Sequence, residues 1–390
     1  METKKVMELE NHFIMHTYDR SEVLFESGKG CYLYDDKGKE YLDFVGGIAT
    51  ASLGHGNNVI SSTLYEQSKK LISSSNLFYM REQAVLAEKL AKISGLSACF
   101  FSNSGAESVE TAIKLAKKYT GKQELISTEG AFHGRTLGAL SLTWKEKFRM
   151  PYVPLIPGIK FIPYNNTSAL ADSITDNTSA FIVEPVQGEA GIYVPQRGYL
   201  KEARKICKER DCLLIVDEIQ TNMRTGKFFA YQHEDILPDI VTVAKGIAGG
   251  VPIGITIANK DIASAFQPGD HGCTFGGNSL SCASANAVID FVLKNNLIEK
   301  AGVIGEYFMK RLAKLQKKYN SIKEVRGKGL MVGIELDIHA KPIVDKCLAK
   351  GLLVNKCNEH VLRFLPPLIV TKEQIDLSVG ILDEVFSELL

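Results

Sequence analysis

The middle of the chain alternates short apolar runs with stretches whose apolar residues recur at helical spacing. The apolar runs predict buried strands at residues 99–102, 124–127, 180–183, 213–216, 240–244 and 253–258. Amphipathic stretches between several of them predict helices, for example at 108–119 and 199–209. Strands that alternate with helices are typical of α/β proteins, so we expect a mostly parallel central sheet with helices on both faces.

The two ends of the chain follow a looser pattern. Residues 31–44 predict a β-hairpin with its turn at 35–38, one long helical pattern covers 280–319, and residues 328–336 predict a strand. We therefore expect three parts, which are an N-terminal segment that joins the smaller domain (1–50), a large domain (51–279) and a smaller α+β domain (280–390).

Four segments with candidate chemistry each follow a predicted strand. In open parallel sheets, ligands bind in the crevice at the carboxyl ends of the strands. In the first segment, Ser104 and Glu107 have capping-box spacing at the start of a helix. The backbone at Ser104, Gly105 and Ala106 would favour an anion such as a phosphate, although the same residues also fit a simple helix cap.

The second segment places an acid directly after an apolar strand. Asp217 could pair with a protonated heterocycle nitrogen, and Gln220, one turn further on, could donate to an oxygen. Asp217 and Glu218 together also fit a Mg²⁺ site for nucleotide hydrolysis. However, the chain has no G-x-x-x-x-G-K-[ST] loop, which counts against that alternative.

The third segment ends a buried strand with Lys245, and glycines follow at 246, 249 and 250. Lysines at strand ends usually reach solvent. Here the glycines let the backbone pass close to a bound group and leave the amine partly desolvated. Desolvation lowers the pKa of a lysine towards nucleophilic use.

The fourth segment offers an aromatic ring and a cation. Phe132 could stack on a flat ring and Arg135 could hold a carboxylate, although an arginine in a surface turn fits equally well. Taken together, an anion site, a ring-face aromatic, a strand-end acid and a desolvated lysine are what a phosphorylated pyridine aldehyde requires. The four segments therefore predict a site for pyridoxal 5′-phosphate (PLP).

Composition and charge narrow the classes of protein. The 390 residues carry a net charge of +1, so no strong field favours nucleic acid or an anionic membrane. No apolar run approaches the roughly 20 residues that span a bilayer, and residues 1–10 lack an apolar signal core. The eight scattered cysteines predict free thiols in a reducing cytoplasm. The eight histidines show no metal-ligand spacing, so we expect no metal site.

The candidate segments belong to a longer series of motifs. The series consists of YLDF (41–44), LGH (53–55), SGAE (104–107), AFHGRT (131–136), EPVQGEAG (184–191), DEIQT (217–221), AKG (244–246), HGCTFGGN (271–278) and RFLPPL (363–368). Through these motifs the sequence resembles the class III aminotransferases, PLP enzymes of fold type I, over nearly its whole length. Within that family it resembles the acetylornithine aminotransferases most.

The resemblance implies a role for each cofactor-binding residue. Lys245 would hold PLP covalently and then act as the general base and acid, and Asp217 would keep the ring nitrogen protonated. The other implied contacts are Gln220 with the phenolic oxygen, Phe132 with one ring face, Ser104, Gly105 and Ala106 with the phosphate, and Thr274 with the phosphate of the neighbouring subunit. A homodimer with shared active sites follows from the last of these.

The resemblance also implies how two substrates of different charge are bound. Arg135 would bind the carboxylate far from the reacting carbon; Tyr18 matches a tyrosine near that carboxylate, or packs as a plain aromatic. Glu189 would pair with Arg363 while the ω-amine donor is bound and then release it to the α-carboxylate of glutamate, unless the two are an ordinary surface ion pair or two solvated charges. Ile48 replaces a tyrosine of ornithine aminotransferases, and an apolar residue better suits an acylated amine.

The function that this resemblance implies is transfer of the distal amino group of acetylornithine to 2-oxoglutarate in arginine biosynthesis. The alternatives are another ω-amine (succinylornithine, an acylated lysine-pathway intermediate, ornithine or 4-aminobutyrate) or an aminomutase. The chain departs from the family pattern at Cys273, at Ser279 and after Gln220, where the loop is shorter and Asn222 replaces glycine. We expect a left-handed backbone at Asn222, because asparagine tolerates that conformation better than most residues.

Overall fold

The computed structural model describes residues 3–389, so the outer ends of the predicted domains, at residues 1, 2 and 390, lie outside it. The strands are β1 (Phe25–Lys29), β2 (Tyr32–Asp35), β3 (Glu40–Asp43), β4 (Ala98–Ser102), β5 (Glu124–Thr128), β6 (Ile159–Ile162), β7 (Thr178–Val183), β8 (Leu213–Asp217), β9 (Ile240–Val243), β10 (Gly254–Ala258), β11 (Ile322–Lys328), β12 (Met331–Leu336), β13 (Leu352–Leu353), β14 (Asn355–Lys356) and β15 (Val361–Phe364).

The α-helices are α1 (Thr3–Phe13), α2 (Gly46–Ala49), α3 (Asn58–Lys70), α4 (Arg81–Ser94), α5 (Gly105–Thr120), α6 (Leu137–Ser141), α7 (Glu146–Arg149), α8 (Thr167–Ser173), α9 (Gly188–Gly191), α10 (Tyr199–Glu209), α11 (Lys260–Ala263), α12 (Ser279–Lys294), α13 (Leu297–Lys318), α14 (Ala340–Ala349) and α15 (Lys372–Leu389). Short 3₁₀ helices lie at Met150–Tyr152, Ala230–Glu234 and Lys245–Ala248. The helices predicted at 108–119 and 199–209 are thus confirmed as α5 and α10.

The central sheet has seven strands in the order β4-β10-β9-β8-β7-β5-β6. β8 runs parallel to β7 and β9, and β5 runs parallel to β6 and β7. β10 is antiparallel to both of its neighbours, β4 and β9. The strands predicted in the middle of the chain all form close to their predicted bounds, and the mostly parallel α/β fold is confirmed.

Side chains that alternate along the central strands build hydrophobic cores on opposite faces of the sheet. On β7, Ala180 and Ile182 pack in one cluster with Val109 of α5, whereas Phe181 and Val183 belong to a different cluster. All five are fully buried. Because successive side chains of a strand point to opposite faces, a strand that is covered on both sides is apolar throughout. This is why the strands of the sheet could be predicted from continuous apolar runs.

Two four-stranded sheets form outside the central one. β2 and β3 make the predicted hairpin, and their sheet, β1-β2-β3-β13, includes one strand from the C-terminal region, parallel to β3. The second sheet, β11-β12-β15-β14, is antiparallel. The domain boundaries at 50/51 and 279/280 stay a prediction.

Two predictions in the C-terminal part of the chain are wrong. The helical pattern at 280–319 forms two helices, α12 and α13, because Asn296 between them takes a left-handed φ of 54°. Asparagine tolerates this conformation, so an apolar period can continue across a break in the helix. The strand predicted at 328–336 is instead the end of β11, a turn at Gly329 with φ of +57°, and β12.

The described residues also bear on the predictions about cysteines and membrane-spanning segments. All eight cysteines, which lie within the described residues, are free, and burial raises the pKa of the Cys99 thiol to about 12. Between residues 3 and 389, no helix combines the length and the apolarity that crossing a bilayer requires.

Candidate active site

A cavity of about 440 Å³ lies at the carboxyl ends of the parallel strands of the central sheet. Its lining residues are Thr50, Asn103, Ser104, Gly105, Ala106, Phe132, His133, Gly134, Arg135, Glu184, Glu189, Asp217, Ile219, Gln220, Ala244, Lys245, Gly250, Val251, Pro252 and Ile253. Parallel strands bring segments that are distant in sequence to one edge of the sheet. The structure therefore places all four predicted segments around one cavity.

Lys245 directly follows Ala244 at the end of β9, and its half-buried side chain lines the cavity. Its backbone φ of 53° is uncommon for a non-glycine residue, and such strained conformations cluster at functional sites. Burial lowers the pKa of its amine; the charge of Glu189 opposes this shift and the charge of Arg363 reinforces it. A lower pKa makes the neutral, nucleophilic amine more available near neutral pH.

Asp217 is the last residue of β8, and only 4% of its surface is exposed. Its Oδ1 accepts the backbone N–H of Ile219 at 3.0 Å, and its Oδ2 lies 2.7 Å from Nδ1 of His133. Since a carboxylate can only accept, Nδ1 of His133 is the donor and holds the acid in place. The role of His133 could not be predicted, because no local pattern shows a contact between residues so distant in sequence.

The start of α5 faces the cavity with Ser104, Gly105 and Ala106. Ser104 is the N-cap, and its Oγ accepts the N–H of Glu107 at 3.2 Å. The carboxylate of Glu107 in turn accepts the N–H of Asn103 at 2.6 Å. The predicted cap is therefore present, and it is compatible with an anion site because the N–H groups of the first turn have no partner within a helix.

Gln220 brings an unsatisfied amide to the cavity. Its Oε1 is buried and has no hydrogen-bond partner in the described part of the chain. A Cβ at Gly188 would lie 2.1 Å from this oxygen, so the glycine is what leaves room for the side chain. An unpaired buried polar atom costs about 1–3 kcal/mol, and a ligand hydroxyl that donates to Oε1 would remove that cost.

Glu184 directly follows β7 and is a cavity residue to which the sequence analysis assigned no role. Its two carboxylate oxygens accept the N–H of Phe132 at 2.9 Å and the N–H of Gly188 at 3.0 Å. Burial raises the pKa of Glu184 to about 7, although the charge of His133 opposes this shift. The carboxyl group thus ties the turn that carries Phe132 to the turn that carries Glu189. Its position after a buried strand, like that of Asp217, was a usable signal.

The buried Arg363 forms an ion pair with Glu189, whose side chain is partly exposed. Arg363 is 1% exposed, and its Nη1 donates to the carboxylate of Glu189. Its Nε also donates to Oδ1 of Asn355 at 3.3 Å. Burial alone would raise the pKa of Glu189, but the charges of Arg363 and Lys245, together with hydrogen bonds from Arg363 and Gln220, hold that pKa below its usual value. The two charges are therefore in direct contact and are not separately solvated.

A second buried arginine, Arg224, lies close enough to Arg363 for their charges to interact. Arg224 is 2% exposed, and its Nη1 donates to the backbone carbonyl of Leu330 at 3.0 Å. Burial and, to a smaller extent, the charge of Arg363 lower the pKa of Arg224 to about 10. Two neighbouring buried cations increase the cost of leaving Arg363 without an anion. Arg224 was not predicted from the sequence.

Arg135 lies at the cavity among aromatic rings. Its guanidinium carbon is 3.6 Å from the ring centroid of Phe148 and 5.8 Å from that of Phe132. Such cation–π contacts stabilise an exposed arginine by about 0.5–1 kcal/mol. They position Arg135 beside the ring that was predicted to cover the cofactor.

Tyr18, Thr274 and Ile48 do not line this cavity. Tyr18 is 75% exposed and lines a separate cavity at the N-terminal segment, and Thr274 is exposed. Ile48 is partly exposed and takes a left-handed φ of 58°, two residues before the cavity residue Thr50. One chain alone therefore does not bring these three side chains to Lys245.

The prediction of a left-handed backbone at Asn222 is wrong, because the positive φ of 63° belongs to Met223. Asn222 acts through its side chain, whose Nδ2 donates to the carbonyl of Glu218 at 2.8 Å and to the carbonyl of Ala244 at 3.2 Å. These bonds connect the loop after β8 to the residue that precedes Lys245. The shorter loop is thus held by a side-chain amide where the family commonly has glycine.

Glu218 is a fully buried acid outside the cavity. It accepts the N–H of Tyr231 at 2.9 Å and the hydroxyl of Thr221. Burial raises the pKa of Glu218 from 4.5 to about 7, so within that interval the folded chain holds a proton that the unfolded chain has lost. The contribution of Glu218 to stability is therefore fully present below pH 4.5, and it is lost as the pH rises through about 7.

We expect Glu218→Gln to remove this loss. Between about pH 5 and about pH 8, the free energy of unfolding of the wild type should fall relative to that of the variant by on the order of 2 kcal/mol. Urea unfolding at constant ionic strength measures the difference. Glu299→Gln, an exposed acid on α13, is the control and should show a flat difference. A flat difference for Glu218→Gln as well would contradict the prediction.

The groups around the cavity form a chemically coherent set. A half-buried amine, a buried carboxylate, the N–H groups of a helix start and an unpaired amide oxygen all face the same space. This set fits a phosphorylated pyridine aldehyde, which carries one partner for each of them.

Comparisons with known proteins agree with this fit. The family model of the class III aminotransferases matches residues 13–386. The acetylornithine aminotransferase of Methanocaldococcus jannaschii is 46% identical over 400 residues, which covers 100% of both chains. Among solved structures, the acetylornithine aminotransferase of Elizabethkingia anophelis matches with a TM-score of 0.90 at 34% identity, over 100% of both chains.

An ornithine aminotransferase of Toxoplasma gondii, whose active site holds PLP at partial occupancy, matches with a TM-score of 0.96. The identity is 32%, over 100% of this chain and 95% of that chain. The predicted family and its cofactor are confirmed. The chain belongs to the class III aminotransferases, PLP-dependent enzymes that move an amino group from an amino donor to an oxo acid.

Proposed function

We propose that the protein is an acetylornithine:2-oxoglutarate aminotransferase of arginine biosynthesis that acts in the cytoplasm as a homodimer. The observation that carries this proposal is the contact of the buried Arg363 with Glu189 beside Lys245. Such a contact suits an enzyme that must accept both a substrate with one carboxylate and a substrate with two. The similarity to acetylornithine aminotransferases and the apolar side chain of Ile48 favour an acylated ω-amine as the donor.

The cofactor would be held by the residues that line the cavity. Lys245 would bind its aldehyde, Asp217 its ring nitrogen and Gln220 its phenolic oxygen. Phe132 would cover one ring face, and the phosphate would lie at the start of α5 against Ser104, Gly105 and Ala106. When bound, PLP supplies an electron-accepting ring that makes the C–H bond of the substrate's reacting carbon acidic.

Asp217 and Lys245 would divide the proton chemistry. Asp217, oriented by His133, would keep a proton on the ring nitrogen, where positive charge increases the electron demand of the ring. Lys245, once an incoming amine has displaced it, would take the proton from the substrate carbon through Nζ and return it to the cofactor side. Its lowered pKa suits this task, because a general base works best when its pKa is near the working pH.

Arg135 and Arg363 would recognise the two substrates. Arg135 would hold the carboxylate that is distant from the reacting carbon. With acetylornithine bound, Arg363 would stay paired with Glu189. With glutamate bound, Glu189 would turn away and the α-carboxylate would take its place. The exchange keeps a negative charge beside Arg363 throughout, and breaking a buried pair without replacement would cost about 3–5 kcal/mol.

A homodimer would complete the site. Leu77, Phe78 and Tyr79 form an exposed apolar segment, and Phe275, next to Thr274, is also 65% exposed. Contiguous exposed apolar side chains often mark a protein–protein interface. We propose that a second copy covers them and that Thr274 reaches the phosphate of that copy.

Arg363→Lys is expected to impair the half-reaction with glutamate and 2-oxoglutarate much more than the half-reaction with acetylornithine. Lysine keeps the charge but loses the planar fork that binds a carboxylate through two parallel hydrogen bonds. The KM for glutamate and 2-oxoglutarate should rise by roughly 10- to 100-fold, while the KM for acetylornithine changes by less than about threefold. Arg311→Lys, a partly exposed arginine on α13, is the control. Equal changes for both substrates would argue against a role for Arg363 in glutamate binding.

Steady-state rates with 2-oxoglutarate and a panel of amines test the proposed function. Acetylornithine should give the largest kcat/KM, ahead of succinylornithine, free ornithine and 4-aminobutyrate. Equal values for free ornithine and acetylornithine would overturn the assignment of the donor. Product formation without 2-oxoglutarate would point to an aminomutase instead.

A further inference from the structure

Two histidines and a glutamate meet on the surface of the C-terminal part of the chain, away from the cavity. His339 precedes α14, and Glu359 and His360 precede β15. All three are exposed, and one nitrogen or oxygen from each lies within 4.8 Å of the others. We propose that His339, Glu359 and His360 form a binding site for a divalent transition-metal ion such as Zn²⁺.

The two imidazole rings already have the spacing of a shared metal ion. Their centroids lie 5.2 Å apart, with 23° between the ring planes. Two imidazoles bound to one Zn²⁺ through bonds of about 2.1 Å, at a tetrahedral angle of about 110°, place their centroids about 5 Å apart. His339 Nδ1 and Glu359 Oε2 are 4.0 Å apart, so small rotations of the side chains are enough to bring both to one ion.

A hydrogen bond to the backbone orients the ring of His360 for metal binding. Its Nδ1 lies 3.1 Å from the carbonyl oxygen of Ile338. A carbonyl can only accept, so Nδ1 carries the proton and Nε2 keeps a free lone pair. Histidines that bind metals commonly donate their other N–H to a backbone carbonyl in this way, which fixes both the tautomer and the ring orientation.

The backbones that carry the three side chains are joined to each other. The N–H of Ala340 donates to the carbonyl of Glu359 at 2.8 Å, and the N–H of Leu336 donates to the carbonyl of His360 at 2.8 Å. The fold therefore holds the ligand-bearing segments together, and binding needs only changes in side-chain torsion angles. Sequence spacing could not show the site, because its histidines come from separate segments.

The donor set favours Zn²⁺, Ni²⁺ or Cu²⁺ over Mg²⁺ or Ca²⁺, since imidazole nitrogen suits borderline metals and the latter prefer oxygen. Three protein ligands leave at least one position for water, and the exposure of the site makes the ion exchangeable. Such an ion would cross-link the start of α14 to the segment before β15. That segment also contacts the turn of Glu189, through Cys357 Sγ to the carbonyl of Gly188 at 3.3 Å.

Zn²⁺ titration of the PLP-loaded enzyme by calorimetry, in a buffer that does not bind metals, tests the proposal. The wild type should bind about one Zn²⁺ per chain at this site, and the ion should raise its Tm. His339→Gln and His360→Gln should each weaken this binding by roughly tenfold or more and abolish the rise in Tm. His12→Gln, an exposed histidine outside the cluster, is the matched control and should bind as the wild type does.

Electron paramagnetic resonance with one equivalent of Cu²⁺ identifies the ligands directly. The wild type should show coupling to two imidazole nitrogens, and each cluster variant should show one or none. Zn²⁺ binding and nitrogen coupling that are unchanged in both variants would overturn the proposal, as would a wild type that binds no Zn²⁺. Because these measurements do not depend on turnover, they stand or fall independently of the proposed transamination.

Discussion

Lys245→Ala is expected to lower kcat for the overall transamination by about 10³- to 10⁴-fold, the largest effect of any single substitution in the chain. Among the described residues, Lys245 is the one that lines the cavity with an amine able to take a proton from the substrate carbon and return it to the cofactor side. The variant loses this amine, and general acid–base catalysis alone contributes about 10²- to 10⁴-fold. Rates with acetylornithine and 2-oxoglutarate, at saturating PLP, measure the loss.

The same substitution should also change how the cofactor is retained. Borohydride treatment of the wild type, followed by peptide mapping, should find the reduced adduct on Lys245, and the Ala variant should give none. Lys227→Ala, an exposed lysine just after the loop that follows β8, is the control and should behave as the wild type does. A Lys245→Ala enzyme with wild-type kcat, or an adduct on a different lysine, would contradict the assigned role.

The strands and helices that could be predicted are those whose burial follows a simple period. β7 and β8 are covered on both faces, so their apolar runs are continuous, and α10 buries one stripe and exposes the other. The break between α12 and α13 was missed because it depends on the backbone of one residue, Asn296, while the apolar period continues across it. The turn at Gly329 was missed for the same reason.

The parts of the site that could be predicted are those that lie at the end of a strand. Asp217 and Lys245 each end an apolar run, and parallel strands bring such ends together. The contacts that hold them in place could not be predicted, because they join residues whose separation in sequence carries no pattern. His133 with Asp217, Glu184 with Phe132, and Asn222 with the carbonyl of Ala244 are all of this kind.

Asp217→Asn is expected to have the second-largest effect, a fall in kcat of roughly 10²- to 10³-fold with little change in the fold. The amide has the shape of the acid but carries no charge, so it would not keep a proton on the ring nitrogen of the cofactor. Removing one preorganised electrostatic contact from an active site typically costs this much. In addition, the amide could present Nδ2 instead of an acceptor to Nδ1 of His133, which would weaken the contact now measured at 2.7 Å.

Two comparisons distinguish this charge effect from a loss of structure. Asp211 is an exposed residue just before β8 begins, and its carboxylate pairs with Lys122 at the surface. The same substitution there, Asp211→Asn, should therefore leave kcat unchanged. Asp217→Glu keeps the charge and should recover at least part of the rate, because the carboxylate can still meet the ring nitrogen. If Asp217→Asn kept the wild-type kcat, or if Asp217→Glu were no faster than Asp217→Asn, the charge of Asp217 would not be what drives the reaction.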